Sequence, residues 1–166
     1  MVIIVFGLPG SGKSYFASRL AKTISADYIN SDLERKKLLA QKTYTEKEKS
    51  SIYDHMALIM EQTIQKGKPI VIDATFYKQN LRELFNKKAG DTPLVFIEVI
   101  TNDEITRQRL SMKRTDSDAD YEVYKKIRSQ WEPMLAPHLV VESTNDNIDS
   151  MIETTIDHIN ALSYDR

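Results

Sequence analysis

Residues 2–15, VIIVFGLPGSGKSY, constrain the fold of this chain more than any other stretch. Val2 to Phe6 form a continuous, β-branched apolar run, which is typical of a strand buried in a parallel sheet. The residues that follow fit the spacing G-x-x-x-x-G-K-[ST], with Gly7, Gly12, Lys13 and Ser14 in the fixed positions. That spacing belongs to a phosphate-binding loop (P-loop) that joins a strand to a helix.

The chemistry of phosphate binding explains this composition. A loop that turns its backbone N–H groups toward a triphosphate needs glycine, and the helix after it adds a positive N-terminal end. We therefore predict that the chain binds ATP together with Mg²⁺, with Lys13 at the β- and γ-phosphates and Ser14 as a metal ligand. The predicted nucleotide-binding residues in this stretch are Gly7, Pro9, Gly10, Ser11, Gly12, Lys13, Ser14 and Tyr15.

Composition narrows the class of protein further. With 166 residues, 41% of them hydrophobic, we expect one domain with a sizeable core. The absence of cysteine excludes disulfides and thiolate metal sites. A net charge of −1 argues against a broadly basic nucleic-acid binder. No leader-like segment and no apolar run of membrane length is present, so we expect a cytoplasmic protein without a membrane partner. The sequence assigns no oligomeric state.

Strand and helix patterns alternate along the whole chain, which predicts a three-layer α/β/α domain with a parallel sheet. We expect the domain to span residues 1–166, with a helical lid at about 103–132. The further predicted strands cover 27–30, 69–75, 93–100 and 138–142. Predicted helices follow the P-loop and cover 31–40, 45–67, 79–89, 103–114, 118–131 and the C-terminal segment. Ligands of such sheets bind at the carboxyl ends of the strands.

Asp32 and Arg35 follow the second predicted strand, three residues apart on one helix face. The carboxylate could accept the proton of an attacking hydroxyl, and the arginine could hold the acceptor. A purely local alternative also fits, in which Ser31 and Glu34 form a capping box and Asp32 pairs with Arg35.

Asp73 follows the buried run Pro69 to Ile72, so we expect it at the carboxyl end of that strand. There it could act toward Mg²⁺ as a Walker-B carboxylate does, and it is also assigned to the substrate-binding set. The alternative is a cap for the next helix.

The helix predicted over 103–114 carries Arg107, Arg109, Lys113 and Arg114. Such a run is usually a solvated face. Transfer of a γ-phosphoryl group needs cations that approach once water is excluded, and a mobile arginine-bearing helix could supply them.

Taken together, these blocks resemble small P-loop kinases of the polynucleotide-kinase and zeta-toxin type, and in particular the bacterial predicted kinases of that group, AAA-type ATP-binding proteins. The resemblance covers residues 1 to about 135. It implies a general base at Asp32, acceptor binding at Arg35, and contact of Arg109 and Arg114 with donor phosphates, with Arg114 catalytic beside Lys13 and Asp32. It also implies a five-stranded sheet in the order 2-3-1-4-5. The matching blocks are GLPGSGKS, NSDLERKKL, GKPIVIDATF and RQRLSMKRTDSDADYEVYKKIRSQWEP.

Three functions fit these observations. The first is transfer of the γ-phosphate of ATP to a hydroxyl of a small molecule or nucleotide-like acceptor. The second is a polynucleotide 5′-hydroxyl kinase, which the near-neutral charge disfavours because no basic channel is evident. The third is a nucleotide-binding module or slow ATPase acting through a partner, which has no need of a base such as Asp32.

Overall fold

The sheet in the computed structural model consists of five parallel strands in the order β2-β3-β1-β4-β5. The structure describes residues 1–38, 45–112 and 119–164. The strands are β1 (Val2–Phe6), β2 (Asp27–Asn30), β3 (Ile70–Asp73), β4 (Leu94–Ile100) and β5 (Leu139–Glu142). The predicted parallel α/β fold and its strand order are confirmed.

Seven helices lie within the described residues. Most predicted positions agree to within two or three residues. The helix predicted over 103–114 is shorter, because its last residue is Ser111 and Met112 has an extended backbone. The helices are α1 (Lys13–Thr23), α2 (Ser31–Leu38), α3 (Glu46–Gln65), α4 (Gln79–Ala89), α5 (Asp103–Ser111), α6 (Tyr121–Ser129) and α7 (Ile148–Tyr164).

The core has two halves because successive side chains of a strand point to opposite faces of the sheet. Val2, Ile4 and Phe6 of β1 pack against α3 and α4. Ile3 and Val5 pack on the other face, against α1 and α7. All five residues of β1 are fully buried, which explains why its sequence is continuously apolar rather than alternating.

The segment after α6 closes one end of the first core half. The indole of Trp131 stacks on Phe6, with ring centroids 6.0 Å apart. Arg82 of α4 donates to the carbonyl oxygen of Glu132, and the carboxylate of Glu132 accepts the N–H of Gln79 at 2.6 Å. Within the ranges given above, no helix is long and apolar enough to cross a bilayer.

Candidate active site

The loop between β1 and α1 depends on glycines at two points of close approach. The φ angles of Gly7 and Gly12 are +154° and +91°, which L side chains rarely adopt. A Cβ on Gly7 would lie 2.4 Å from the carbonyl oxygen of Val99, and one on Gly12 would lie 2.7 Å from Oγ of Ser143. The glycine spacing therefore reflects packing of β4 and of the loop after β5 against the P-loop.

Lys13 and Ser14 are the first two residues of α1 and thus lie at its positive end. Both are half-buried and line a cleft of about 840 Å³ at the carboxyl edge of the sheet. Among the other predicted loop residues, Gly7, Pro9, Gly10 and Ser11 are buried. The cleft wall includes Pro9, Gly10, Gly12 and Tyr15.

Asp73, the last residue of β3, lies beside the P-loop and is fully buried. Its Oδ2 accepts a hydrogen bond from the hydroxyl of Tyr28 at 3.0 Å and another from Nδ2 of Asn30. Burial raises the pKa of Asp73 above its ordinary value, while the nearby Lys13 ammonium and Ser14 hydroxyl act to lower that pKa. Two neutral donors, Tyr28 and Asn30, thus hold Oδ2 of the carboxylate.

The residues here fit a magnesium ion that is also bound by nucleotide phosphates. Oδ1 of Asp73 is buried and accepts no hydrogen bond from any residue that the structure describes. Nδ2 of Asn30 lies 3.4 Å from Oγ of Ser14, so the serine and the carboxylate share one polar corner. Oxygen donors suit Mg²⁺, which keeps several waters and seldom has an all-protein cage. In keeping with this, the described ranges contain no cluster of three or more acidic or histidine side chains around one metal position.

At the other end of the cleft, Asp32 and Arg35 are brought together. Arg35 donates to Oδ1 of Asp32 at 2.8 Å, and its Nε lies 3.1 Å from Oε1 of Glu48 in α3. The side chains of Arg35 and Glu48 are 8% and 6% exposed, whereas that of Asp32 is 37% exposed. Arg35 therefore holds a partly accessible carboxylate in a fixed position, as a general base requires.

A family model described as an AAA domain, AAA_33, matches residues 2–134 of the chain. The chain belongs to this family. The match includes the P-loop, Asp32, Arg35, Asp73 and helices α5 and α6, so every predicted site residue lies within it. The predicted resemblance to small P-loop kinases is thereby confirmed at the level of family and fold.

Solved structures with the same fold as this AAA_33 chain include a sugar kinase from Janibacter sp., with a TM-score of 0.75 and 16% identity over 96% of this chain and 94% of that one. A gluconokinase from Sinorhizobium meliloti has a TM-score of 0.73 and 14% identity over 99% and 94%. The APS kinase of Mycobacterium tuberculosis, in complex with AMPPNP and APS, has a TM-score of 0.73 and 17% identity over 96% of each chain.

Arg109 of the AAA_33 chain lies against the P-loop from the α5 side. Its guanidinium donates to the carbonyl oxygens of Ser11 at 3.0 Å and of Thr144 at 2.6 Å. It thus ties the P-loop to the loop between β5 and α7, and it also lines the cleft. Arg107 lies over the ring of Tyr121 instead. Arg114 and Lys113 lie outside the described residues.

The local alternative for Asp32 holds in part, because Asp32 does pair with Arg35, but its capping box and the alternative for Asp73 need correction. Asn30, not Ser31, caps α2, because its Oδ1 accepts the N–H groups of Asp32 and Leu33 at 2.9 and 3.0 Å. Glu34 pairs instead with Lys37 and His55. Asp73 does not cap α4 either, since the first N–H of that helix, at Gln79, donates to Glu132.

Sequence reasoning missed one residue of the cleft wall, Tyr53, and the buried partner of Arg35, Glu48. Glu48 is a buried partner of Arg35, and nothing local to α3 distinguishes it from the neighbouring charges on that helix. The hydroxyl of Tyr53 accepts the N–H of Phe76 at 3.0 Å, and burial strongly raises the pKa of Tyr53, so the phenol stays protonated. An apolar helix face containing one tyrosine was the only signal, and it is ambiguous.

Proposed function

We propose that this chain is an ATP-dependent phosphotransferase that moves the γ-phosphate of ATP to a hydroxyl of a small-molecule acceptor. The observation that carries the proposal is that one cleft of about 840 Å³ is lined both by Lys13 and Ser14 and by Asp32 and Arg35. A nucleotide-binding switch needs only the first pair. The fold is shared with proteins described as sugar, gluconate and APS kinases, which supports a small-molecule acceptor. We take residues 1–166 as one kinase domain with a lid at about 103–132.

In the proposed reaction, the P-loop end of the cleft binds ATP and the end with Asp32 and Arg35 binds the acceptor. Backbone N–H groups of the P-loop and Lys13 bind the β- and γ-phosphates. Asp32 accepts the proton of the acceptor hydroxyl as its oxygen attacks the γ-phosphorus, and the bond from that phosphorus to the bridging oxygen breaks to release ADP. Arg35 orients Asp32 and contributes a cation near the acceptor. Ser14 and Asp73 would hold Mg²⁺, which supplies charge neutralisation on the phosphates.

The lid arginines complete the proposed site. Arg109 already contacts the P-loop backbone, so we assign it to nucleotide binding. We assign Arg114 to the donor phosphates from the resemblance alone. Its expected effect is on the transfer rate rather than on the affinity for ADP, since the charge it meets develops during transfer.

A transfer assay with γ-labelled ATP and Mg²⁺ tests this function. The acceptor panel contains polyols, hydroxy acids, nucleosides, aminoglycosides and a 5′-hydroxyl oligonucleotide, and Lys13→Ala is the negative control. We expect label on a small acceptor. Exclusive labelling of the oligonucleotide, with affinity falling steeply with salt at about −0.7 per phosphate contact, would favour a polynucleotide kinase. ATP hydrolysis without any acceptor dependence would contradict the proposal.

A further inference from the structure

Asn30 joins the two ends of the cleft. It is the last residue of β2, directly beside Asp73 in the sheet register, and it is 7% exposed. Its side chain makes contacts in both directions, toward the P-loop side through Nδ2 and toward α2 through Oδ1. Both ends of one short amide are therefore engaged.

The orientation of the Asn30 amide follows from its partners. Nδ2 faces the carboxylate of Asp73, which only accepts, and Oδ1 faces the N–H groups of Asp32 and Leu33, which only donate. A rotation by 180° would oppose oxygen to carboxylate and N–H to N–H. The two sets of contacts hold the side chain in one orientation.

The contact with Asp73 also decides which carboxylate oxygen is left for a ligand. Asn30 and Tyr28 both donate to Oδ2, and Oδ1 remains without a donor among the residues described. Groups that hydrogen-bond a metal-binding carboxylate fix its orientation and affect the affinity of the site.

We propose that Asn30 is a positioning residue that fixes the metal-binding carboxylate of Asp73 and the start of α2, with Asp32, relative to one another. This inference rests on the proposed function, because it takes Asp73 as the residue that faces Mg²⁺ and Asp32 as the base. Movement of Asp73 when metal binds is then transmitted through a single side chain to the helix that carries Asp32.

Two substitutions distinguish the capping of α2 by Asn30 from the contact of Asn30 with Asp73. Asn30→Ser keeps a good N-cap but is too short to reach Asp73. Asn30→Ala removes both contacts. Asn102 is a matched control, since its side chain caps α5 by accepting the N–H of Ile105 at 2.8 Å and has no contact with Asp73.

The decisive measurement is ADP binding by calorimetry at increasing Mg²⁺ concentration. We expect Asn30→Ser to need about tenfold more Mg²⁺, or more, for half of the metal-dependent gain in ADP affinity, with a melting temperature close to the parent's. Asn30→Ala should show the same Mg²⁺ shift and a lower melting temperature. Asn102→Ala should lower the melting temperature while keeping the parent's Mg²⁺ midpoint.

Amide NMR shifts of Asp32 and Leu33, followed as Mg²⁺ is added to the ADP complex, report whether metal binding at Asp73 reaches the start of α2 through Asn30. They should move in the parent and stay nearly fixed in Asn30→Ser. A parental Mg²⁺ midpoint in Asn30→Ser would overturn the inference and leave the proposed function standing. A parent whose ADP affinity does not respond to Mg²⁺ would overturn the inference as well, and the transfer assay would decide the proposed function separately.

Discussion

One end of the cleft is formed mainly by backbone groups and the other mainly by charged side chains. At the donor end, the backbone forms the site, through glycines at positive φ and the first turn of α1. At the acceptor end, charged side chains of α2 and α3 form it, with Arg35 between Asp32 and Glu48. Most of the acceptor-end groups are already engaged with one another, whereas the N–H groups of a helix start are available to a ligand.

The two ends therefore differ in how selective they can be. Backbone N–H groups recognise phosphates, which all nucleoside triphosphates share, so the donor end is generic. A site made of positioned side chains rejects molecules that leave its buried polar groups without partners, and this sets specificity for hydroxyl and charged groups. Substitutions at the donor end should therefore change nucleotide binding, and those at the acceptor end should leave it unchanged.

Lys13→Ala should have the largest effect. The ammonium contributes charge-assisted hydrogen bonds to phosphate, so we expect ATP affinity to fall about tenfold or more and phosphate transfer to become undetectable. The fold should persist, since Lys13 is half-buried at the cleft. Calorimetry with ATP and Mg²⁺ measures the affinity. Lys22→Ala, at the exposed last turn of the same helix, is the control and should bind like the parent. Equal binding by Lys13→Ala would mean that Lys13 does not bind the phosphates of ATP.

Asp32→Asn comes next. General-base catalysis contributes about 10²–10⁴-fold, and kcat should fall by that factor while the KM for ATP stays near the parental value. Asparagine keeps the size and suits the first turn of α2. Asp149 occupies the same second position of α7, so Asp149→Asn provides a matched loss of charge at a helix start. A kcat within about threefold of the parent's in Asp32→Asn would make Asp32 a structural residue.

Asp73→Asn should raise the Mg²⁺ concentration for half-maximal activity by about 10–100-fold, more than it raises the KM for ATP. Asparagine keeps an acceptor for Tyr28 and Asn30 but loses the charge that attracts the metal. Activity of the variant that is indifferent to Mg²⁺ would make Asp73 structural.

Asp73 should also make the stability of the metal-free protein depend on pH. Because burial raises the pKa of Asp73 above the ordinary 3.8, the folded protein binds this proton more tightly than the unfolded chain. Metal-free protein should then lose stability as pH rises from 3.8 through the raised folded pKa. Melting curves in EDTA across that range test this, and Asp73→Asn should flatten the loss. If the melting temperature of the parent protein changed with pH in the same way as that of Asp73→Asn, the predicted loss of stability with rising pH would be wrong.

Arg35→Ala should have the smallest catalytic effect, an increase of about tenfold in the acceptor KM and a loss of kcat smaller than that of Asp32→Asn, because Asp32 remains but loses the group that orients it; the ATP KM should stay nearly unchanged. It should also lower the melting temperature, because removing one member of a buried ion pair costs about 3–5 kcal/mol. The double variant Arg35→Ala, Glu48→Gln should recover much of the stability but not the acceptor KM. Recovery of both would assign Arg35 to packing alone.

The donor end could be predicted because its constraints are local. A strand that enters a glycine loop and then a helix at Lys13 is fixed by about fifteen consecutive residues, and the structure follows it closely. The strand order was implied by the resemblance, since crossovers that set the order of parallel strands leave no mark in any one segment.

Local sequence patterns could not predict contacts between residues that are distant in the sequence. Glu48 meets Arg35 only because α3 folds back on α2, and Glu132 meets Gln79 across a separation of 53 residues. The alternative with a capping box at Ser31 is wrong because Asn30 caps α2, and either residue type suits that position. The choice between Asn30 and Ser31 depends on the residue at which β2 ends, and that residue is set by pairing of strands in the sheet.

The central position of β1 has a consequence for how the chain is made. Val2 of β1 pairs with Ile70 on one side and with Leu94 on the other, so β1 leaves the ribosome well before either of its neighbours. Folding by such distant parallel pairings is slow, and an apolar strand with open edges is prone to aggregate meanwhile. A nascent chain that ends before β4 would carry the whole P-loop sequence and still lack the strand whose Val99 packs against Gly7. Recovery of this protein during expression should therefore respond to lower temperature and to chaperones that shield β1.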